Sequence, residues 1–181
     1  MNERHLQDNI TKLLERVRSS SQKSQIGNND ILVLAVSKTR SEEEIRAAHA
    51  CGLTDFGENY LQEALDKIDR LSDLPLSWHF IGPLQSNKTR PVAENFHWVH
   101  TVDREKIARR LNDQRPAQLP ALQVCLQVNI SGEQSKSGVS LEELPALATA
   151  VSAMPRLALR GLMAIPAATS DVQEQRAAFS R

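Results

Sequence analysis

The sequence predicts an α/β fold in which strands and helices alternate around a parallel sheet, as in a (β/α)8 TIM-type barrel. Six strand–helix units are legible, beginning near residues 31, 54, 78, 98, 122 and 157. Their mean spacing of about 25 residues is typical of βα units in a parallel sheet. The first strand, residues 31–39, is an apolar run without alternation, which indicates burial on both faces.

Two closures of such a sheet are possible, and the sequence favours the barrel. An open doubly wound sheet would be complete with six strands, but it usually carries a glycine-rich turn after the first strand. Here that position reads SKTRSEEE, and the chain contains no GxGxxG motif. A barrel would need two more units, about 50 residues, to reach the ~200–250 residues typical of the fold. We therefore expect residues 1–181 to form a single domain that is incomplete at its C-terminus.

Local signals define the elements in the first half of the chain. Ser41 and Glu44 form a capping box that opens a helix after the first strand, and Gly52 is placed to end that helix. A short strand is expected at residues 54–57. Two other helices carry apolar residues at helical spacing, namely Leu6, Ile10, Leu13, Leu14 and Val17 in the opening helix and Leu61, Leu65, Ile68 and Leu71 in the later one.

The second half repeats the same alternation. Asp103 is positioned to cap the helix after the fourth strand. Ser140 and Glu143 form a second capping box, and a final helix starts near Ser170 or Asp171. The expected strands are residues 78–82, 98–102, 122–130 and 157–165, with a helix near 91–96.

Composition excludes several classes of protein. The chain has 22 basic and 22 acidic residues, so bulk charge does not favour a nucleic-acid partner. No apolar stretch approaches the roughly 20 residues that span a bilayer, and the N-terminus has no signal core. Cys51 and Cys125 are too few for a disulfide framework, and no HExxH, CxxC or GxSxG motif is present. We expect a soluble cytoplasmic protein without a membrane partner or a metal site.

Polar side chains follow the predicted strands at their carboxyl ends, where parallel βα folds place their active residues. Lys38 ends the first strand. Burial lowers the pKa of a lysine amine, and the neutral amine can form a Schiff base with a carbonyl. A lysine here can instead pack its stem and keep its ammonium in water, and the strand alone leaves both interpretations open. The other members of this set are Glu58, Asn59, Gln85, Asn87, Lys88, His100, Asp103, Asn129, Glu133 and Lys136, with Met163 at the end of the sixth strand.

Two further features have an ordinary structural interpretation beside the functional one. The loop at residues 129–138 contains Gly, Ser and Lys and could bind an anion, but it lacks the spacing of a P-loop. It is more simply a polar βα loop. His79 lies inside the third strand, and we expect it to be a buried histidine with its hydrogen bonds satisfied.

Six motifs occur in order along the chain, namely AVSKT, FGENYLQE, WHFIGPLQSNK, HTVDR, QVNISGEQSKSG and RGLMAI. Together they closely resemble the YggS/PROSC family of pyridoxal 5′-phosphate (PLP) homeostasis proteins. The resemblance implies a (β/α)8 barrel like the N-terminal domain of alanine racemase, with PLP held as an internal aldimine on Lys38. It implies that Asn59 lines the cofactor pocket and that Met163 faces it from the sixth strand. Lys136 matches a family lysine to which the resemblance assigns no role.

The resemblance implies a PLP carrier without established turnover, with no catalytic residue, acting as a monomer with PLP-dependent apoenzymes as candidate partners. Family members continue through two further strands whose loops hold the phosphate, whereas this sequence ends at Arg181. We therefore expect either a fragment of a longer product or a truncated variant with weakened PLP affinity and two unpaired sheet edges. Two alternatives stay open: a Schiff-base enzyme such as a racemase relative that uses Lys38, and a fragment without function.

Overall fold

The computed structural model describes residues 3–23, 31–130 and 137–180. Helices and strands alternate over these residues, as predicted. The elements are α1 (Glu3–Lys23), β1 (Ala35–Val36), α2 (Glu42–Ala50), β2 (Asp55–Glu58), α3 (Leu61–Arg70), β3 (Ser77–Phe80), a 3-10 turn (Ser86–Lys88), α4 (Thr89–Asn95), β4 (Trp98–Val102), α5 (Glu105–Gln114), β5 (Leu122–Gln127), α6 (Leu144–Ser152), β6 (Leu157–Met163) and α7 (Val172–Phe179).

The six strands form one sheet in chain order, from β1 to β6. β1 is parallel to β2, and β3, β4, β5 and β6 follow one another in parallel pairs. This arrangement confirms the predicted parallel α/β class with six βα units. By packing, the chain divides into two compact units, Met1–Trp78 and His79–Arg181. None of the described helices is long and apolar enough to cross a bilayer.

The first unit buries its apolar residues around β2. Phe56 and Ile45 are each 1% exposed, and the ring of Phe56 lies 6.0 Å from that of Trp78. The predicted capping box is confirmed, because Ser41 Oγ accepts from Glu44 N–H while the Glu44 carboxylate accepts from Ser41 N–H. Gly52 follows α2 with φ +93°, a conformation that glycine adopts without steric cost.

The prediction of a long first strand buried on both faces is wrong. Within residues 31–39, which the structure describes, the strand itself covers Ala35 and Val36, and these pair with Phe56 and Gly57 of β2. Val36 is 51% exposed and Leu32 is 60% exposed. β1 stands first in the strand order, so only one of its flanks is paired, and the apolar residues before it have no ladder to hold them in the sheet.

The second unit is centred on β5, whose apolar residues Leu122, Val124 and Leu126 are fully buried. Val99 of β4 and Ile107 of α5 are buried with them. The five strands from β2 to β6 coincide with the predicted ranges to within three residues. The final helix also begins as predicted, because the Asp171 carboxylate accepts from the N–H groups at its first turn.

Two predicted helix starts in this unit differ from the structure. Asp103 does not cap α5: the cap position is Arg104, and the Asp103 carboxylate binds the Arg104 guanidinium at 2.7 Å instead. Ser140 and Glu143 do form reciprocal bonds, with Oγ accepting from the Glu143 N–H. These bonds organise a turn, however, and α6 begins only at Leu144.

Candidate functional site

Lys38 lies in a tight turn directly after β1. The turn is closed by the Arg40 N–H, which donates to the Ser37 carbonyl at 3.0 Å. The Lys38 side chain is exposed. Thr39, the next residue, has φ +61°, in the left-handed region that a β-branched residue seldom adopts. Such a conformation persists only where surrounding contacts fix it, so this turn is held by more than its own backbone.

The strand register brings Lys38 level with Asn59. Ala35 and Val36 pair with Phe56 and Gly57, and the Ser37 N–H continues the ladder by donating to the Gly57 carbonyl at 3.0 Å. Lys38 and Asn59 therefore follow the carboxyl ends of two neighbouring strands of the first unit. This pairing agrees with the sequence-based grouping of the two residues.

Two buried oxygen atoms beside this turn find no hydrogen-bond partner among the described residues. They are Oδ1 of Asn59 and Oε2 of Glu58. Buried polar atoms are nearly always satisfied, so each unpartnered acceptor calls for an explanation such as a donor supplied from outside the protein. Glu58 ends β2 and Asn59 follows it, so both residues lie at the same edge of the sheet as Lys38.

A buried lysine lies beneath the turn. Lys67 of α3 is only 6% exposed, and its Nζ donates to the Ser37 carbonyl at 2.7 Å. It also donates to Glu58 Oε1 at 2.7 Å and to Glu63 Oε1 at 2.6 Å. An ammonium has three N–H donors, so all of them are used. This group of Ser37, Glu58, Glu63 and Lys67 is called the Lys67 cluster below.

Two further bonds connect the Lys67 cluster internally and to the turn. Ser37 Oγ donates to Glu58 Oε1 at 2.8 Å, and the Thr39 N–H donates to Glu63 Oε1 at 2.6 Å. The hydrogen bond from the Lys67 ammonium, helped by that from Thr39, holds the pKa of the Glu63 carboxyl below its ordinary value, against the opposing effect of burial. The Glu63 carboxyl group is therefore ionised at neutral pH.

Sequence reasoning missed Lys67 and Glu63. Of the predicted apolar row, Leu71 is buried, whereas the other three members are partly exposed, namely Leu61, Leu65 and Ile68. The buried residues of α3 itself are Ala64 and Lys67. A signal was available: Lys67 stands three residues after Ala64 and four before Leu71, so it shares their face. A lysine on a buried helix face requires anionic partners, and Glu63 precedes it by one turn.

The second unit contains a different polar group, a pair of histidines. His79 is fully buried and its Nδ1 lies 2.9 Å from His100 Nε2. The His79 ring stacks on Trp98 with an interplanar angle of 6°. Burial, and then the neighbouring His79, lower the pKa of His100 to about 4. His100 is therefore neutral at physiological pH, and the prediction of His79 as a buried, hydrogen-bonded histidine is confirmed.

The other predicted site residues are dispersed. Met163 ends β6 and is partly exposed, and its carbonyl accepts from the Val128 N–H at 2.8 Å. Its orientation towards a cofactor stays a prediction. Glu133 and Lys136 lie outside the described residues. Within the described ranges, no group of three His, Cys, Asp or Glu could hold a metal ion. Three exposed residues follow β3, namely Gln85, Asn87 and Lys88.

Comparison with known proteins identifies the family. The sequence profile of the alanine racemase N-terminal domain matches residues 2–181. A Pseudomonas aeruginosa protein named pyridoxal phosphate homeostasis protein is 61% identical over 174 residues, covering 96% of this chain and 76% of that protein. The chain belongs to the pyridoxal phosphate homeostasis protein family. A member from Vibrio cholerae is 51% identical over 98% of this chain and 77% of its own length.

Solved structures place the fold in the same family. PipY of Synechococcus elongatus without PLP aligns with a TM-score of 0.78 at 38% identity, covering 90% of this chain and 76% of that chain. The PLP-bound form aligns with a TM-score of 0.74 at 36% identity, with the same coverage. Alanine racemase from Corynebacterium glutamicum aligns with a TM-score of 0.68 at 17% identity, covering 97% and 48%, and shows a shared fold. The fold is thus of the alanine racemase N-terminal barrel type, with six βα units in this chain.

Proposed function

We propose that this chain binds PLP, with Lys38 as the covalent anchor, and that it acts in PLP homeostasis without catalytic turnover. The observation that carries the proposal is the exposed amine of Lys38, fixed on a strained turn beside the unpartnered Oδ1 of Asn59. Family membership supports it, because PipY of Synechococcus elongatus, 36% identical to this chain, is described with PLP bound.

The residues of the first unit suit such a cofactor. PLP has an aldehyde that condenses with a primary amine, releasing one water as the C=N bond forms. Its ring hydroxyl and protonated ring nitrogen are hydrogen-bond donors, and Asn59 Oδ1 is a buried acceptor without a donor. Lys38 would supply the nitrogen of the bond and Asn59 an acceptor for the ring. The exposure of Lys38 leaves its amine accessible to an entering aldehyde.

A role as carrier is favoured over a role as enzyme. A racemase relative needs an acid or base that is available to exchange protons with a bound substrate. The carboxylates that neighbour the turn, Glu58 and Glu63, are instead both bonded to the Lys67 ammonium. We propose that the chain holds PLP as a monomer in the cytoplasm and passes it to PLP-dependent apoenzymes.

The proposal is tested by titrating the chain with PLP and following the visible absorbance of the Schiff base. We expect saturable binding that Lys38→Met removes, because methionine keeps the length of the stem but has no amine. Lys88→Met is the matched control, since Lys88 is also an exposed lysine after a strand, and it should bind as the original chain does. Equal binding by the original chain and Lys38→Met would refute the proposal. Racemisation of an amino acid by the loaded protein would instead favour the enzyme.

A further inference from the structure

The Lys67 cluster is a buried charged group that the proposed cofactor site does not itself require. Two carboxylates and one ammonium lie together in it, and Glu58 is fully buried. Removing such charges from water is costly, and buried ion pairs are often no more stable than apolar replacements. Stability alone therefore gives a weak reason for this arrangement, and its position beneath the turn suggests another.

Both neighbours of Lys38 are bonded to the cluster. On one side, the Ser37 carbonyl accepts from Lys67 Nζ at 2.7 Å as well as from the Arg40 N–H that closes the turn. On the other side, the Thr39 N–H donates to Glu63 Oε1, which Lys67 also holds. The described residues give the Lys38 side chain no hydrogen bond or ion pair of its own. Its backbone is thus fixed on both sides while its amine is left exposed.

The conformation of Thr39 depends on the same bonds. A φ of +61° is unfavourable for a β-branched residue, so the turn would relax if nothing opposed it. The bond from the Thr39 N–H to Glu63 ties this residue to α3, and α3 is tied to β1 and β2 through Lys67. Loss of Lys67 would remove its bonds to Ser37 and Glu58 and would leave the Glu63 carboxylate without the cation that fixes it.

We propose that Lys67 is a positioning residue for the cofactor-binding lysine: through the Ser37 carbonyl and Glu63 it holds the strained turn that presents the Lys38 amine to PLP. The inference rests on the proposed PLP site and adds to it a residue from α3. If the inference is correct, removal of the Lys67 ammonium slows the reaction of Lys38 with PLP, while other exposed lysines react as before.

The test measures the rate of Schiff-base formation at individual lysines. The full chain is mixed with PLP, trapped with borohydride at increasing times, and the modified peptides are quantified by mass spectrometry. We expect Lys67→Met to slow modification of Lys38 by about tenfold, since small misplacements of reacting groups cost up to ~100-fold in rate. Modification of the exposed Lys88 should be unchanged. A variant that simply unfolds would instead alter several lysines together.

A second series keeps the test decisive if Lys67→Met does not fold. Glu63 is partly exposed, so Glu63→Ala should fold while removing the acceptor of the Thr39 N–H. Glu63→Ala should slow the modification of Lys38 by PLP and speed amide hydrogen exchange at Thr39. Glu63→Gln should keep both rates close to those of the original chain, because its side-chain amide oxygen still accepts from the Thr39 N–H. Arg70→Met is the matched control, since Arg70 is on the same helix and bonds Glu42 at the surface.

The outcomes separate the two proposals. A folded Lys67→Met or Glu63→Ala variant that modifies Lys38 at the original rate would overturn the positioning role and leave the PLP site standing. An original chain that forms no adduct on Lys38 would overturn the PLP site, and the positioning role with it. Slower modification of Lys38 alone, with rescue by Glu63→Gln, would support both.

Discussion

The polar groups of the two units, the Lys67 cluster in the first and the His79–His100 pair in the second, differ in charge. In the first unit, a buried ammonium is retained by two carboxylates and a carbonyl, and a second, exposed lysine lies above it. In the second unit, two histidines are packed against each other and Trp98, and burial keeps His100 neutral. A group of hydrogen-bonded polar side chains is thus insufficient to identify a site. The distinguishing features are an accessible reactive group and a network that fixes its backbone.

The largest expected effect comes from breaking the charged group. Lys67→Met should lower the free energy of unfolding by about 3–5 kcal/mol, because Glu58 would stay buried without a cation. Urea unfolding followed by circular dichroism measures this loss. The double variant Lys67→Met, Glu58→Met should recover much of it, since an apolar pair leaves no buried charge at that position. A double variant as unstable as the sum of its parts would show that the charges are not coupled.

The histidine pair should lose stability as pH falls. The pKa of His100 is lowered to about 4 in the folded protein, so the unfolded chain takes up its proton first as pH falls. Stability should be fully present above the ordinary histidine pKa and decline between pH ~6.5 and about 4. After allowance for solvent screening, we expect a loss of about 1–2 kcal/mol.

His100→Gln checks the assignment of that loss, because glutamine does not titrate in this range. Urea midpoints measured at several pH values should show a flatter dependence in the variant. An unchanged slope would assign the pH dependence to other groups.

A smaller pH effect is expected in the Lys67 cluster. The pKa of Glu63 is depressed, so its contribution to stability is present above its ordinary value of 4.5 and is lost as pH falls through the lower folded value. Protection of the Thr39 amide, after correction for intrinsic exchange, should therefore persist at pH 4.5 and weaken at more acidic pH. Glu63→Gln should remove this dependence. A Thr39 amide that is unprotected at neutral pH would contradict the bond to Glu63.

The smallest effect is expected from the surface ion pair between Arg70 of α3 and Glu42 of α2. Arg70 and Glu42 lie 2.8 Å apart, and exposed pairs contribute little to stability because water and salt screen the two charges. Arg70→Met should therefore shift the urea midpoint little, and added salt should reduce even that. If Arg70→Met lowered the free energy of unfolding as much as Lys67→Met does, the exposed ion pair would contribute as much as the buried one, and burial would not decide the contribution.

The features predicted well from the sequence are those that depend on nearby residues. Ser41 caps α2 and Asp171 caps α7 because each bonds N–H groups within three residues of itself. Lys38 could be grouped with Asn59 because parallel βα folds bring the residues that follow their strands to the same edge of the sheet. The alternation itself was visible because apolar runs recur at a regular interval.

The failures concern bonds between distant residues or bonds that compete with a local preference. The length and burial of the first strand depend on neighbouring strands on both sides of it. Among the described strands, β1 has only β2 beside it. The Lys67 cluster joins residues 37, 58, 63 and 67, and only the 63–67 spacing is a local pattern. Asp103 has a good capping side chain, but Arg104 binds it. In each case a long-range or competing contact overrode a local preference.

The central claim is that one lysine is singled out as the PLP anchor. The most direct measurement is a borohydride trap with PLP below the protein concentration, followed by quantification of the adduct on each lysine peptide. The account predicts that the adduct lies on the Lys38 peptide and is abolished by Lys38→Met. Labelling spread over surface lysines such as Lys12, Lys88 and Lys106, or no adduct at all, would contradict it.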